Sequence, residues 1–164
     1  MDDDASSGAD AGAANRRPVR LWGWLAAMRS RAAILLARDE PLVIDEIDLP
    51  DPGPDQVVLE LIASGICHTQ LHQMHHRPLP EPTLLGHEGS RVVVKVGRDV
   101  QHLKEGDHAM VTWLHRSRGS GPRDGPPTGA SYRGRQFGDK NSVFTWSDYT
   151  LTAGDHAIRM RPDD

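Results

Sequence analysis

Two short motifs hold the residue types in this chain that could do chemistry, GICHTQLH and, further along, GHEG. The first contains Cys67, the only cysteine of the chain, and the second contains His87. A thiolate and an imidazole are ligands that Zn²⁺ prefers in proteins. Thr69 and His72, a hydroxyl and a base that could move a proton, follow the cysteine closely. The first hypothesis is therefore a metal site with a proton path beside it.

Each of these residues also has a purely structural interpretation. A lone cysteine such as Cys67 is often a small buried hydrophobic residue, and an isolated His87 could be a hydrogen-bonded structural histidine. Glu88 could be an ordinary salt-bridge partner, and Thr69 could cap a short helix. Both interpretations stay open at the level of single residues.

A second metal hypothesis comes from the spacing of the histidines. His68, His72 and His76 recur every four residues, so a helix would place them on one face. Pairs at this spacing can chelate transition metals. Adventitious capture of metal is the more common outcome for such a cluster.

Composition limits the class of protein. Hydrophobic residues make up 37% of the 164 residues, below the roughly 45–50% of globular domains, a share that counts glycine. Part of the chain is therefore expected to stay unpacked. The net charge of −4 argues against nucleic-acid binding, and no apolar run approaches the ~20 residues that span a membrane. A single cysteine cannot form an internal disulfide, which favours a reducing, cytoplasmic location.

The ends and one internal stretch differ from the rest in composition. Residues 1–29 begin small, acidic and polar, and are predicted to be a flexible extension. Arg16 and Arg17 before a short apolar stretch leave a twin-arginine signal as a weaker alternative. Residues 30–164 are predicted to form one domain with a flexible loop at 115–140. The arginines of that loop could contact RNA or an acidic partner, but a solvated loop is the usual result.

The remaining pattern predicts a mainly β domain. Short apolar or alternating runs are separated by Gly, Pro and Asp turns, with no βαβ rhythm and no GxGxxG fingerprint after a strand. A barrel-like fold follows, without a dinucleotide-binding unit. Strands are predicted at 32–37, 42–47, 56–63, 90–96, 108–114, 143–151 and 157–160, and a helix at 69–76.

Four motifs taken together resemble a known family. They are DPGPDQV, GICHT, GHEG, and a Val-Gly pair followed by GDH, and they occur in this order. The segment 31–164 resembles the N-terminal catalytic domain of zinc-dependent medium-chain alcohol dehydrogenases. This resemblance implies a GroES-like fold, a partly open barrel of short strands with one or two short helices.

The resemblance also implies a metal site. Cys67 and His87 would be two of the three protein ligands of one catalytic Zn²⁺, and Glu88 the adjacent carboxylate that can approach the metal and substitute as a third ligand. Many family members also bind a structural zinc through four cysteines. The comparable stretch 115–140 has no cysteine here, so no structural zinc is expected.

Three further roles follow from the same resemblance. Thr69 would hydrogen-bond the substrate alcohol or aldehyde, and His72 would relay its proton to solvent. His68 would lie near the pyrophosphate of a nicotinamide cofactor, NAD or NADP.

Two departures from the family pattern leave two hypotheses for the function of the chain. Gln70 stands where the family usually has an acidic residue that orients the zinc-bound histidine. The sequence ends at Asp164, where the family continues into its third ligand and its nucleotide-binding domain. The chain is thus predicted to be an incomplete or split alcohol dehydrogenase. The alternative is a non-catalytic GroES-like binding or scaffold domain that forms a homo-oligomer or pairs with a separate nucleotide-binding chain.

Overall fold

The computed structural model describes residues 27–76, 78–80, 82–114, 128–138 and 142–161. Most of the predicted extension 1–29 and of the predicted loop 115–140 lies outside these residues. Both predictions, and the domain boundary at residue 30, therefore stay predictions, although residues 131–132 and 135–136 of the loop segment form short strands and Tyr132 and Phe137 are buried. Within the described residues, no helix is long and apolar enough to cross a membrane.

Short strands dominate the described part of the chain, with one α-helix and one 3₁₀ turn. The strands are β1 Met28–Leu35, β2 Val43–Leu49, β3 Gln56–Ser64, β4 Thr83–Leu84, β5 Glu88–Val96, β6 His108–Thr112, β7 Ser131–Tyr132, β8 Arg135–Gln136, β9 Tyr149–Ala153 and β10 Ala157–Arg159. The helix α1 is His68–His75, and the 3₁₀ turn is Gly154–His156.

The strands form two antiparallel sheets. The first has the order β4-β1-β2-β7-β8 and the second the order β10-β6-β5-β3-β9. Residues 146–148 join the two sheets, because Trp146 O accepts a hydrogen bond from Ala33 N at 2.8 Å while Asp148 O accepts one from Leu61 N at 2.7 Å. This connection curls the sheets towards each other into a partly open barrel.

Two hydrophobic clusters fill the interior, and β3 contributes to both. Val58 belongs to the cluster between the sheets, whereas its neighbours Val57 and Leu59 belong to the cluster on the other face of the second sheet. Side chains alternate between faces along a strand. A strand buried on both faces must therefore be apolar at consecutive positions, as the run Val57–Leu59 is.

The predicted mainly β class is confirmed, with differences at element ends. The helix covers 68–75 instead of 69–76, and β1 begins at Met28 and ends before residue 36. The predicted strand 143–151 was too long, since β9 begins only at Tyr149. The physical reason is the crossing between sheets at 146–148, which directs backbone hydrogen bonds to two different strands.

An arginine lies in the interior of the second sheet. Arg91, in β5, is fully buried, and its Nη2 donates to Thr145 O at 3.0 Å. Its Nε and Nη1 have no hydrogen-bond partner among the described residues. Burial lowers the pKa of Arg91 to about 9, since a guanidinium that loses water is destabilised in its charged form. One hydrogen bond does not offset such a loss.

Replacing Arg91 with methionine is expected to stabilise the fold. The Arg91→Met variant keeps most of the buried volume and removes the charge, so unfolding at neutral pH should cost about 1–4 kcal/mol more, as for other buried charges replaced by apolar groups. Urea unfolding measures this difference. The matched control Arg91→Lys keeps a buried cation and should be less stable than the parent. An Arg91→Met variant of equal or lower stability would show that the guanidinium is compensated.

Candidate functional site

The two chemical motifs meet where β3 ends and β5 begins. Ser64, the last residue of β3, pairs with Gly89 of β5, and Gly65 N donates to Glu88 O at 3.2 Å. Cys67 follows the end of one strand, and His87 immediately precedes the start of the other. The antiparallel register therefore brings residues that are distant in sequence to one end of the second sheet.

Cys67 is the N-cap residue of α1. Its backbone is extended, with φ −106° and ψ 149°, and its Sγ lies 3.5 Å from Thr69 Oγ1. The hydrogen bond with the Thr69 side chain, followed by backbone N–H groups of Thr69 and His68, lowers the pKa of Cys67, although burial and the charge of Glu88 act in the opposite direction. A helix N-terminus and its N–H groups favour an anion, so this thiol is prepared to act as a thiolate.

Gln70 connects Cys67 to His87. Its side chain is 1% exposed, and its Oε1 accepts a hydrogen bond from the backbone N–H of Cys67 at 2.9 Å. Its Nε2 lies 2.9 Å from His87 Nδ1. A single amide thus holds the cap of α1 and the histidine ring in one arrangement.

His87 and Glu88, which are neighbours in sequence, differ in their exposure to solvent. The His87 ring is partly buried, lies 6.4 Å from the Trp113 ring between centroids, and borders a cavity of 60 Å³ lined in part by Leu84 and Val143. Glu88 is exposed, and its Cδ lies only 2.7 Å from where a Cβ on Gly65 would be. Gly65 therefore makes room for the Glu88 carboxylate close to Cys67.

The remaining predicted residues lie along α1. His68, Thr69 and His72 are all exposed, and Thr69 and His72 are one helical turn apart, so they share a face of α1. His72 packs near His76, with ring centroids 5.3 Å apart.

Neither predicted metal cluster is complete in the described part of the chain. Among those residues there is no group of three His, Cys, Asp or Glu side chains placed to hold a metal ion. His72 and His76 come together, but no third ligand joins them among the described residues. Cys67 and His87 suit zinc by donor type, but the described residues add no third donor of suitable placement.

Sequence reasoning missed Thr145 and Trp146, two residues that contact and support the site. Thr145 Oγ1 lies 2.9 Å from Ser64 Oγ, and Trp146 Nε1 donates to Gly65 O at 3.1 Å. Gly86, with φ +90°, approaches the same two residues so closely that a Cβ there would overlap Thr145 Oγ1 and lie 2.9 Å from Trp146 N. No local pattern connects residue 86 with residues 145 and 146, so only the fold shows this support.

Comparison with known proteins identifies the family. The family described as the alcohol dehydrogenase GroES-like domain matches residues 53–162 in sequence. The chain belongs to this family. An alcohol dehydrogenase from Rhizobium meliloti strain 1021 is 45% identical over 96 residues, which are 56% of this chain and 28% of that protein. An S-(hydroxymethyl)glutathione dehydrogenase from Escherichia coli O1:K1 / APEC is 30% identical over 159 residues, 83% of this chain and 43% of the relative.

Solved structures confirm the GroES-like fold of this alcohol dehydrogenase domain. The alcohol dehydrogenase zinc-binding domain protein from Burkholderia ambifaria superposes with a TM-score of 0.72 at 24% identity, covering 84% of this chain and 43% of that one. Benzyl alcohol dehydrogenase from Acinetobacter calcoaceticus gives 0.69 at 23% identity. The chain spans less than half the length of these relatives, so the activity of a whole dehydrogenase is not carried over by similarity alone.

The lowered pKa of Cys67 predicts its reactivity. In the metal-free protein, the rate of alkylation by iodoacetamide should reach half its maximum at a pH below the ordinary thiol value of 9.0, because the thiolate is the nucleophile. Thr69→Val removes the largest stabilising contact and should move the midpoint upward, whereas the control Thr69→Ser should not. Cys67 is the only cysteine, so mass spectrometry reports on it alone. Identical midpoints in Thr69→Val and the parent would contradict the assignment.

Gly86 offers a matched test of the support from residues 145 and 146. Gly86→Ala should lose about 1–2 kcal/mol of stability from its positive φ and about 1–3 kcal/mol more from steric overlap. Gly106 has a similar φ of +85° and nothing within 4 Å of an added Cβ, so Gly106→Ala isolates the backbone effect. Urea unfolding of both variants measures the difference. Equal losses would show that residues 145 and 146 move aside freely.

Proposed function

We propose that this domain provides the substrate side of an alcohol dehydrogenase-like oxidoreductase that interconverts small alcohols and aldehydes with NAD or NADP. The observation that carries the proposal is the site at the ends of β3 and β5. There a thiol of lowered pKa, Cys67, is linked through one buried amide to His87. Family membership supports the same reaction class.

Cys67 and His87, with Glu88 beside them, are the residues proposed to hold one catalytic Zn²⁺. The thiolate and the imidazole suit zinc in donor type, whereas a catalytic site normally has three protein ligands. Glu88, which acts electrostatically on Cys67, is the proposed third ligand, and it would have to move to complete the set, since no three such side chains among the described residues are placed to hold a metal ion. Bound zinc would supply Lewis-acid polarisation of the alcohol oxygen. A single cysteine with this role fits a reducing compartment such as the cytoplasm.

Thr69 and His72 are proposed to move the proton. The Thr69 hydroxyl lies next to Cys67 Sγ, so an alcohol oxygen near the thiolate would be within its reach. His72 is exposed one turn further along α1 and can pass a proton to solvent as a base. His68, exposed at the first position of the helix, is proposed to contact the cofactor pyrophosphate, and the nicotinamide would accept the hydride.

A domain exchange tests this function. The matched region of the Rhizobium meliloti alcohol dehydrogenase is replaced with the corresponding residues of this chain, and cofactor reduction is followed with small alcohols. Turnover is expected, and Cys67→Ser should abolish it. Thr69→Val should reduce kcat by about 10²–10⁴-fold, the usual contribution of a proton-transfer group, while Thr69→Ser retains activity. If the folded chimera kept the same turnover rate after Cys67→Ser, the proposal would be overturned.

A non-catalytic binding role is the second candidate, and exposed apolar side chains support it. Ile62, Ile66, Trp113 and Leu114 are 57%, 81%, 40% and 48% exposed and lie in segments next to the candidate site. Such side chains commonly mark surfaces that bind another chain. A folded but inactive chimera, together with a concentration-dependent rise in the mass of the 164-residue chain in light scattering, would favour this role.

A further inference from the structure

The side chain of Gln70 decides which atoms of the site can act as donors. Gln70 is almost fully buried, and both ends of its amide are engaged, one by Cys67 and one by His87. By the family resemblance, this position usually carries an acidic residue. An amide differs from a carboxylate in one essential respect, since it has one acceptor end and one donor end.

The partner at Cys67 determines the orientation of this amide. A backbone N–H can only donate, so the atom 2.9 Å from Cys67 N must be the carbonyl oxygen of Gln70. The amide nitrogen is thereby directed at His87 Nδ1, 2.9 Å away. Rotating the amide by 180° would place two donors against each other at Cys67.

The orientation of the amide in turn determines the tautomer of His87. The Gln70 nitrogen donates and has no lone pair to accept a proton, so His87 Nδ1 must be the acceptor. A neutral imidazole whose Nδ1 accepts carries its proton on Nε2. A metal-ligating histidine needs the reverse arrangement, because one ring nitrogen gives its lone pair to the metal while the other donates to a neighbouring acceptor.

We propose that Gln70 is a positioning residue that holds His87 in the Nε2–H tautomer and keeps this site in a state of low affinity for Zn²⁺. Coordination through His87 Nε2 would require the ring proton to move to Nδ1, where it would oppose the Gln70 NH₂ group. Coordination through Nδ1 would require loss of the Gln70 hydrogen bond. The consequence for zinc rests on the proposed function, whereas the tautomer of His87 does not.

Glutamate at this position is the matched comparison. Gln70→Glu has the same length and shape, but both of its oxygens accept. One oxygen can keep the bond from Cys67 N–H while the other accepts a proton from His87 Nδ1, which frees the lone pair of Nε2 for a metal. Hydrogen bonds to ligating histidines commonly change metal affinity about 10–100-fold, so a gain of this size is expected.

The first experiment reads the tautomer without any metal. Long-range ¹H–¹⁵N correlation spectra of the histidine-labelled 164-residue chain are recorded with a chelator at alkaline pH, and His87→Gln assigns the signals. The parent should show an unprotonated Nδ1 and a hydrogen-bond coupling from Gln70 Nε2 to His87 Nδ1. In Gln70→Glu the proton should move to Nδ1. A parent protein with protonated Nδ1, or without the coupling, would overturn the proposal, and this outcome is read on the parent protein, with His87→Gln needed only for the assignment.

The second experiment measures metal affinity with Co²⁺ as the probe, whose thiolate charge-transfer band reports binding at Cys67. Gln70→Glu should bind about 10–100-fold more tightly than the parent, and Gln70→Met, which neither donates nor accepts strongly, should lack this gain. If folded Gln70→Glu bound Co²⁺ no more tightly than the parent, the proposed effect of Gln70 on metal affinity would be overturned. Co²⁺ binding of equal affinity in the parent and in Cys67→Ser, measured by calorimetry, would instead refute the proposed metal function and leave the tautomer result standing.

Discussion

The antiparallel pairing of β3 with β5 is the interaction on which the rest of this structure depends. β3 lies between β5 and β9 in the second sheet and carries side chains into both hydrophobic clusters. The same pairing, extended by the bond from Gly65 N to Glu88 O, brings Cys67 and His87 to one end of the sheet. The core and the candidate site are therefore stabilised by a single set of hydrogen bonds.

Two further features lie close to the site, the segment 145–146 and the buried Arg91, and each constrains the fold. Residues 145 and 146 approach Gly86 so closely that no side chain fits there, and Arg91 is buried beneath them with one hydrogen bond to Thr145 O. Burial of this charge opposes folding. Thr145 contacts both Arg91 and Ser64 at the end of β3, so the buried charge and the site share this residue.

Much of the site could be predicted from local sequence, but its hydrogen-bond state could not. The motifs around Cys67 and His87 indicated the family, and the comparisons confirmed it. The helix after Cys67 was predicted to within one residue, because Thr69–His76 lacks helix-breaking residues. The strand at 143–151 was predicted too long, since a local alternation cannot show that 146–148 crosses between two sheets. The roles of all the candidate site residues stay predictions: Cys67, His68, Thr69, His72, His87 and Glu88.

The sequence alone determined the donor types, the family and the substitution of an amide at position 70, because these depend on residue identity and order. Only the tertiary structure decided which side chain meets the other end of that amide. Gln70 could have accepted a hydrogen bond from His87 if its oxygen had been free. The capping box at the start of α1 places the N–H of Cys67 at that oxygen, and the pairing of β3 with β5 brings His87 to the NH₂ group that remains.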